Sequence, residues 1–206
     1  NPRSVLPALV FMNSGFLGIP LMKLWGGGEA MNLIVIFDQI QSFFMFSIGI
    51  LIITGGFSRK SFASLFRSPI IWAMILGFAF NLGGITLPPP IATSLFFIGE
   101  AASPLACVAL GVSIRQTRFT FHKSIFPSLL FRFVGGSLVG YLVVSLMGLT
   151  GLTRTVTLVA SALPSAMFTS ILPLRYGEDN QYASMMVVIS TLLGVVTIPL
   201  SFALAA

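Results

Sequence analysis

Few residues in this 206-residue chain carry chemistry, and most of those lie inside apolar runs. Asn13 sits in Phe11-Met12-Asn13-Ser14-Gly15-Phe16-Leu17-Gly18-Ile19-Pro20-Leu21. Its neutral amide offers two donors and an acceptor oxygen, and a carboxylate entering a low-dielectric site needs donors. A helix that restarts there would add backbone N–H groups and a partial positive charge. The alternative is an interhelical hydrogen bond with no ligand. Ser165 lies in a stretch of the same character, Ala162-Leu163-Pro164-Ser165-Ala166-Met167-Phe168-Thr169-Ser170-Ile171-Leu172-Pro173-Leu174. Two carboxylates, Asp38 (followed by Gln39 and Gln41) and Glu100, fall within apolar segments. A carboxylate there is costly and rarely faces lipid. Each has two open readings: binding a proton or cation during coupled anion transport, or pairing with Arg132 or with freed backbone. Arg132 lies near a segment end, where an arginine usually snorkels to the headgroups. His122 stands beside Lys123 in a loop, and the lone Cys107 reads as a small buried hydrophobe. One histidine and one cysteine give no zinc pair and no disulfide, so no cofactor or metal is expected.

The elements that position these residues must be membrane helices. The chain is 56% hydrophobic and 8% charged, with a mean hydropathy of +1.00, whereas soluble domains carry about 25% charged residues. The net charge of +6 falls in short loops, which points to topology rather than nucleic-acid binding. A span needs roughly 20 apolar residues, and about seven segments qualify: 5–24, 32–54, 69–86, 90–114, 124–147, 155–174 and 182–204. Gly26-Gly27-Gly28 and Leu87-Pro88-Pro89-Pro90 read as tight turns, and 55–68 as a polar loop. The first and sixth segments hold the two polar stretches, the first with two glycines and a proline and the second with two prolines. Proline removes a donor and clashes with the preceding turn. Freed backbone groups in a membrane survive only where protein or a water-filled cavity satisfies them. Both helices are therefore expected to break at a site. Under alternating spans Arg3, Arg59, Lys60, Arg67, Arg115, Arg118, Lys123 and Arg175 share one side, against Lys23 and Arg154 on the other. That side, with the loops at 55–68, 115–123 and 175–181, is assigned to the cytoplasm.

The two polar stretches also repeat. Pro20 and Pro173 are 153 residues apart, as are Ala30 and Ala183. Five spans lie in one period, and an odd number inverts the second copy relative to the first. The expected fold is therefore an all-α polytopic membrane protein, a partial five-plus-five inverted repeat with two broken crossover helices. Residues 1–55 would be the last two helices of the first repeat, 56–68 a cytoplasmic loop and 69–206 a complete second repeat. The chain starts at Asn1 without a signal-peptide pattern, so three further spans are expected upstream.

Asn13-Ser14-Gly15-Phe16-Leu17-Gly18-Ile19-Pro20-Leu21 resembles the fourth helix of the auxin efflux carrier family, which includes plant PIN transporters and bacterial malate and malonate carriers. Gly99-Glu100-Ala101-Ala102-Ser103-Pro104-Leu105-Ala106 with Leu110-Gly111 resembles that family's seventh helix. Ala162-Leu163-Pro164 with Tyr176, Ser190-Thr191-Leu192-Leu193 and Ile198-Pro199-Leu200 resembles its ninth and tenth. The resemblance implies ten helices, of which the fourth and ninth unwind and cross near the bilayer centre, and an elevator-like motion. It places Asn13 on an asparagine that contacts the substrate carboxylate and Pro164 on a crossover proline. Met12 replaces the matching fourth-helix proline, which shifts the expected first crossover to Gly15, Gly18 and Pro20. Ser165 replaces a glutamine of the plant proteins.

The expected function is secondary-active transport of a small organic anion such as malate, malonate or an auxin-like carboxylate, across the inner (plasma) membrane. Asn13, Ser14, Gly15, Gly18, Pro20, Pro164 and Ser165 are the candidate substrate-binding residues, and Glu100 and Asp38 the candidates for proton or sodium coupling. A homodimer in the lipid bilayer is expected, with no nucleic-acid partner. Two other readings stand beside this one. One is a non-transporting subunit or sensor built from a truncated carrier. The other is a membrane-embedded enzyme, which would need a nucleophile–base pair or metal ligands within the spans.

Overall fold

The computed structural model describes residues 2–56, 59–116 and 123–205. Arg118 and His122 lie outside the described residues, as do positions 57 and 58 of the polar loop. Helix α1 (Pro2–Val10) ends in a break, after which a wide π turn, Ser14–Gly18, leads into α2 (Ile19–Phe44). A second π turn, Met45–Gly49, joins α2 to α3 (Ile50–Ile53). Then come α4 (Arg59–Phe66), α5 (Pro69–Leu82), α6 (Pro89–Gln116) and α7 (Ile125–Leu130). A third π turn, Phe131–Gly135, continues α7 into α8 (Gly136–Leu146), followed by α9 (Gly151–Ser161), α10 (Phe168–Arg175) and α11 (Gln181–Ala205).

By length and hydropathy three stretches among the described residues are able to cross a bilayer: Ser14–Ile53, Ile125–Leu146 and Gln181–Ala205. The chain is thus a multi-pass, all-α membrane protein. Ser14–Ile53 is not one rod. Gly26 (φ −127°) and Gly27 (φ +67°) form a corner inside α2, and the left-handed φ at Gly27 is one that side-chain-bearing residues rarely adopt. The region read as a polar loop, 55–68, contains the short helix α4.

The first break also differs in place from the expectation. It falls at Phe11–Asn13, and the helix has resumed by Gly15, Gly18 and Pro20. Pro20 occupies the first turn of α2. An α-helical Pro20 would push its ring against the carbonyl four residues back. The chain instead widens: Gly18 N–H reaches Asn13 O at 3.0 Å and Ile19 N–H reaches Ser14 O, each five residues back. The proline marks where the helix re-forms, just beyond the break.

Three apolar clusters surround the breaks. Phe11, Met45, Phe46, Ile50, Ala166 and Leu172 pack together on one side. Met22, Ala30, Ile34, Val144, Val156 and Val159 form a second cluster, and Ala8, Ile125, Leu129, Met185 and Met186 a third. Helix α8 reaches the end of α9 through glycines. A Cβ at Gly136 would stand 2.5 Å from the Ser161 carbonyl, and one at Gly140 would stand 2.5 Å from Ser161 Oγ. Such small-residue stripes let membrane helices approach closely. Substituting Gly136→Ala is expected to lower the unfolding temperature in detergent, because the obstacle is backbone. Gly99→Ala, where an added Cβ meets nothing within 4 Å, should leave it unchanged or slightly raised. Equal unfolding temperatures for the two variants would contradict this packing.

Candidate functional site

The two breaks meet. Met12 and Ser165 form an isolated antiparallel bridge. Asn13 N–H donates to Pro164 O at 2.8 Å, and Ala166 N–H donates to Phe11 O at 2.9 Å. A shift of 153 residues carries Phe11 to Pro164, Met12 to Ser165 and Asn13 to Ala166, so it exchanges one of these bonds for the other. The backbone groups left at the centre find side chains on the helices behind. Gln41 accepts from Met12 N–H at 3.2 Å and donates from Nε2 to Met12 O at 2.6 Å. On the other strand Ser165 N–H donates to Ser190 Oγ at 3.1 Å.

Around this crossing the candidate residues separate by role. Asn13 is buried, makes no capping bond to the turn that follows it, and lines a cavity of about 50 Å³ with Gly15, Asp38, Gln41 and Ser42. Phe16 and Phe168 close this cavity, their ring centroids 5.4 Å apart. Ser14 is fully buried and engaged, donating to Asp38 Oδ1 at 2.7 Å and accepting from Gln41 Nε2 at 2.9 Å. Gly15 lies against Asp38, where an added Cβ would stand 3.1 Å from the carboxylate. Gly18 fits under Leu163, and Pro164 rests on Gly194. These two, with Pro20 in its helix turn, shape the backbone. Ser165 Oγ is buried without a hydrogen-bond partner among the described residues. Glu100 is not brought here: its side chain is exposed on α6.

Arg132 departs from the snorkelling expectation. It is 2% exposed and turned into the protein from the π turn Phe131–Gly135. Its guanidinium donates to Leu163 O (2.8 and 3.1 Å), to Ser161 O (3.1 Å) and to Leu9 O (3.5 Å). These carbonyls belong to the C-terminal ends of α1 and α9 and to the second break, groups that an interrupted helix orphans. Arg132 and Gln41 are the two residues whose site roles sequence reading missed. The available signal was a strongly polar side chain in a span close to a break in another.

Comparison with known proteins adds identity to geometry. Residues 56–202 match the family model described as membrane transport protein. The chain belongs to this family. It is 31% identical over 198 residues to an uncharacterized transporter of Methanothermobacter thermautotrophicus, covering 94% of this chain and 65% of that protein. It is 27% identical over 198 residues to an uncharacterized transporter of Methanocaldococcus jannaschii, covering 91% of this chain and 63% of that one. The chain therefore spans just under two thirds of the length of these curated relatives.

Replacing Gln41→Leu strands a donor and an acceptor at the first break. Each orphaned group costs about 1–3 kcal/mol, so a marked drop in thermal stability in detergent is expected. Gln39→Leu, at an exposed position two residues away, should change stability little. A stable Gln41→Leu protein would show that Met12 has other partners.

Proposed function

We propose that this chain carries the substrate site of a secondary carrier of the auxin-efflux type, moving a small organic anion such as malate, malonate or an auxin-like carboxylate. One observation carries the reading. Two broken helices cross backbone to backbone beside a small cavity, with the Asn13 amide and the Asp38 carboxylate on its wall and the Ser165 hydroxyl buried at the crossing. Broken helices in corresponding positions are the best pointer to a transporter's binding site. The bridged residues Met12 and Ser165 are 153 residues apart, the separation of Pro20 and Pro173, which supports a partial inverted repeat of seven spans, with residues 1–55 and 69–206 as its two parts. Arg3 lies 3.6 Å from Glu178, while Arg154 donates to Ala205 O at the other chain end. Both contacts agree with Arg3 and the 175–181 loop sharing one side and Arg154 and the end of α11 the other; the first side, with the 55–68 loop, is proposed as the cytoplasmic one of an inner membrane.

The cavity of about 50 Å³ suits a water, whose share of liquid volume is about 30 Å³, and not a dicarboxylate. The described conformation is closed, and substrate entry requires the two halves to move, as an elevator-type cycle does. Asp38 on the same wall adds a constraint. Two like charges in one low-dielectric site repel strongly, so an organic anion enters only with a proton or sodium ion neutralising Asp38. Glu100 is the second carboxylate proposed for coupling, and a homodimer the proposed assembly.

The test is uptake of radiolabelled malate and malonate into proteoliposomes. Asn13→Ala is expected to cut uptake at least tenfold while the protein stays folded. Asp38→Asn should remove the dependence of uptake on an imposed proton or sodium gradient. Uptake of either anion that is unaffected by Asn13→Ala would place the site elsewhere.

A further inference from the structure

Four helix ends converge on the crossing. The C-terminal ends of α1 and α9 arrive at it, and the N-terminal ends of the Ser14–Gly18 turn with α2, and of α10, leave it. Helix C-termini carry about half a negative charge and N-termini about half a positive one. With all four bare, these contributions would roughly cancel, and the crossing would have no preference for the sign of a ligand. Arg132 changes that balance. Its guanidinium binds Leu9 O and Ser161 O, carbonyls at the two negative ends, and Leu163 O just beyond the end of α9. Among the described residues no carboxylate pairs with it. The next carbonyl along the break, Pro164 O, takes the N–H of Asn13 at 2.8 Å. One peptide unit and one hydrogen bond thus separate the cation from the residue proposed to hold the substrate. Gly136 leaves the space this requires, since a Cβ there would stand 3.2 Å from Arg132 Nη1.

The geometry points to Arg132 as the residue that gives the crossing its selectivity for anions, by neutralising the two negative helix ends without touching the substrate. This rests on the carrier reading above for the location of the substrate. It does not depend on which anion is carried. Asp38, on α2, is the charged residue that lines the cavity itself. Arg132 is a positioning and electrostatic residue, and its two contributions are separable. Lysine keeps the charge but cannot reproduce the planar fork, whereas glutamine retains hydrogen-bonding ability and loses the charge.

The experiment reads the local field directly. Asn13→Cys is introduced with Cys107→Ser, and the thiol is titrated through the pH dependence of its reaction with methyl methanethiosulfonate, a neutral reagent. Adding Arg132→Gln should raise the thiol midpoint by about one pH unit, a tenfold fall in thiolate at a given pH. Arg132→Lys should keep the midpoint near that of the parent. Coincident midpoints in all three folded, monodisperse proteins would overturn the assignment, as would equal shifts for lysine and glutamine, which would indicate a purely structural role. In a second arm, with Asn13 and Cys107 in place, the Arg132→Gln protein should lose at least tenfold in its preference for malonate over neutral malonamide, while Arg132→Lys retains it. A parent protein that takes up neither compound removes malonate from the proposed substrates, and the thiol titration still decides the role of Arg132.

Discussion

The structure depends on one constraint: backbone groups released inside a membrane must find partners within the protein. Two helices are interrupted, and each interruption frees donors and acceptors. The antiparallel bridge at Met12 and Ser165 satisfies part of this need. Gln41, Ser190 and Arg132 satisfy much of the rest from three different elements. The packing around the crossing follows from bringing those side chains into range. The bends and close contacts serve that end: the three π turns re-aim helices next to the breaks, and Gly136, Gly140, Gly15 and Gly18 remove side chains where backbones or a carboxylate must come near.

Much of this was legible in the sequence. Glycine, proline and asparagine in the first apolar segment and two prolines with serines and a threonine in the sixth marked the breaks, and the 153-residue spacing tied them together. The exact place of the first break was not legible. Proline reports where a helical donor is missing, and Pro20 proved compatible with a helix once the turn widened to five-residue bonds. Gln41 was invisible for a different reason. Its partner Met12 is 29 residues away, and no local pattern identifies which amide in a span will face a distant break.

Arg132 shows how position along a span misleads. An arginine near a segment end ordinarily stretches to the headgroups. Here the π turn at Phe131–Gly135 rotates it inward, and Gly136 one turn later clears room for it. The energetic logic is that of any buried ion: the loss of water is tolerable only with several hydrogen bonds in return, and the carbonyls of two interrupted helices supply them. Glu100 illustrates the converse. Its carboxylate sits mid-helix in an apolar run, yet α6 holds it on an exposed face, away from the crossing.

The paired bonds at the crossing have a further consequence for how the molecule can come apart. Met12 bridges to Ser165, 153 residues further on, and two backbone bonds flank the bridge. One strand comes from the first part of the sequence and one from the last, and neither part contributes a pair. A fragment severed anywhere between Gly49 and Gly151 would carry a strand with nothing to complete it, and in lipid no solvent could stand in. Such fragments would be driven to reassociate, and the crossing would be the seam along which they rejoin.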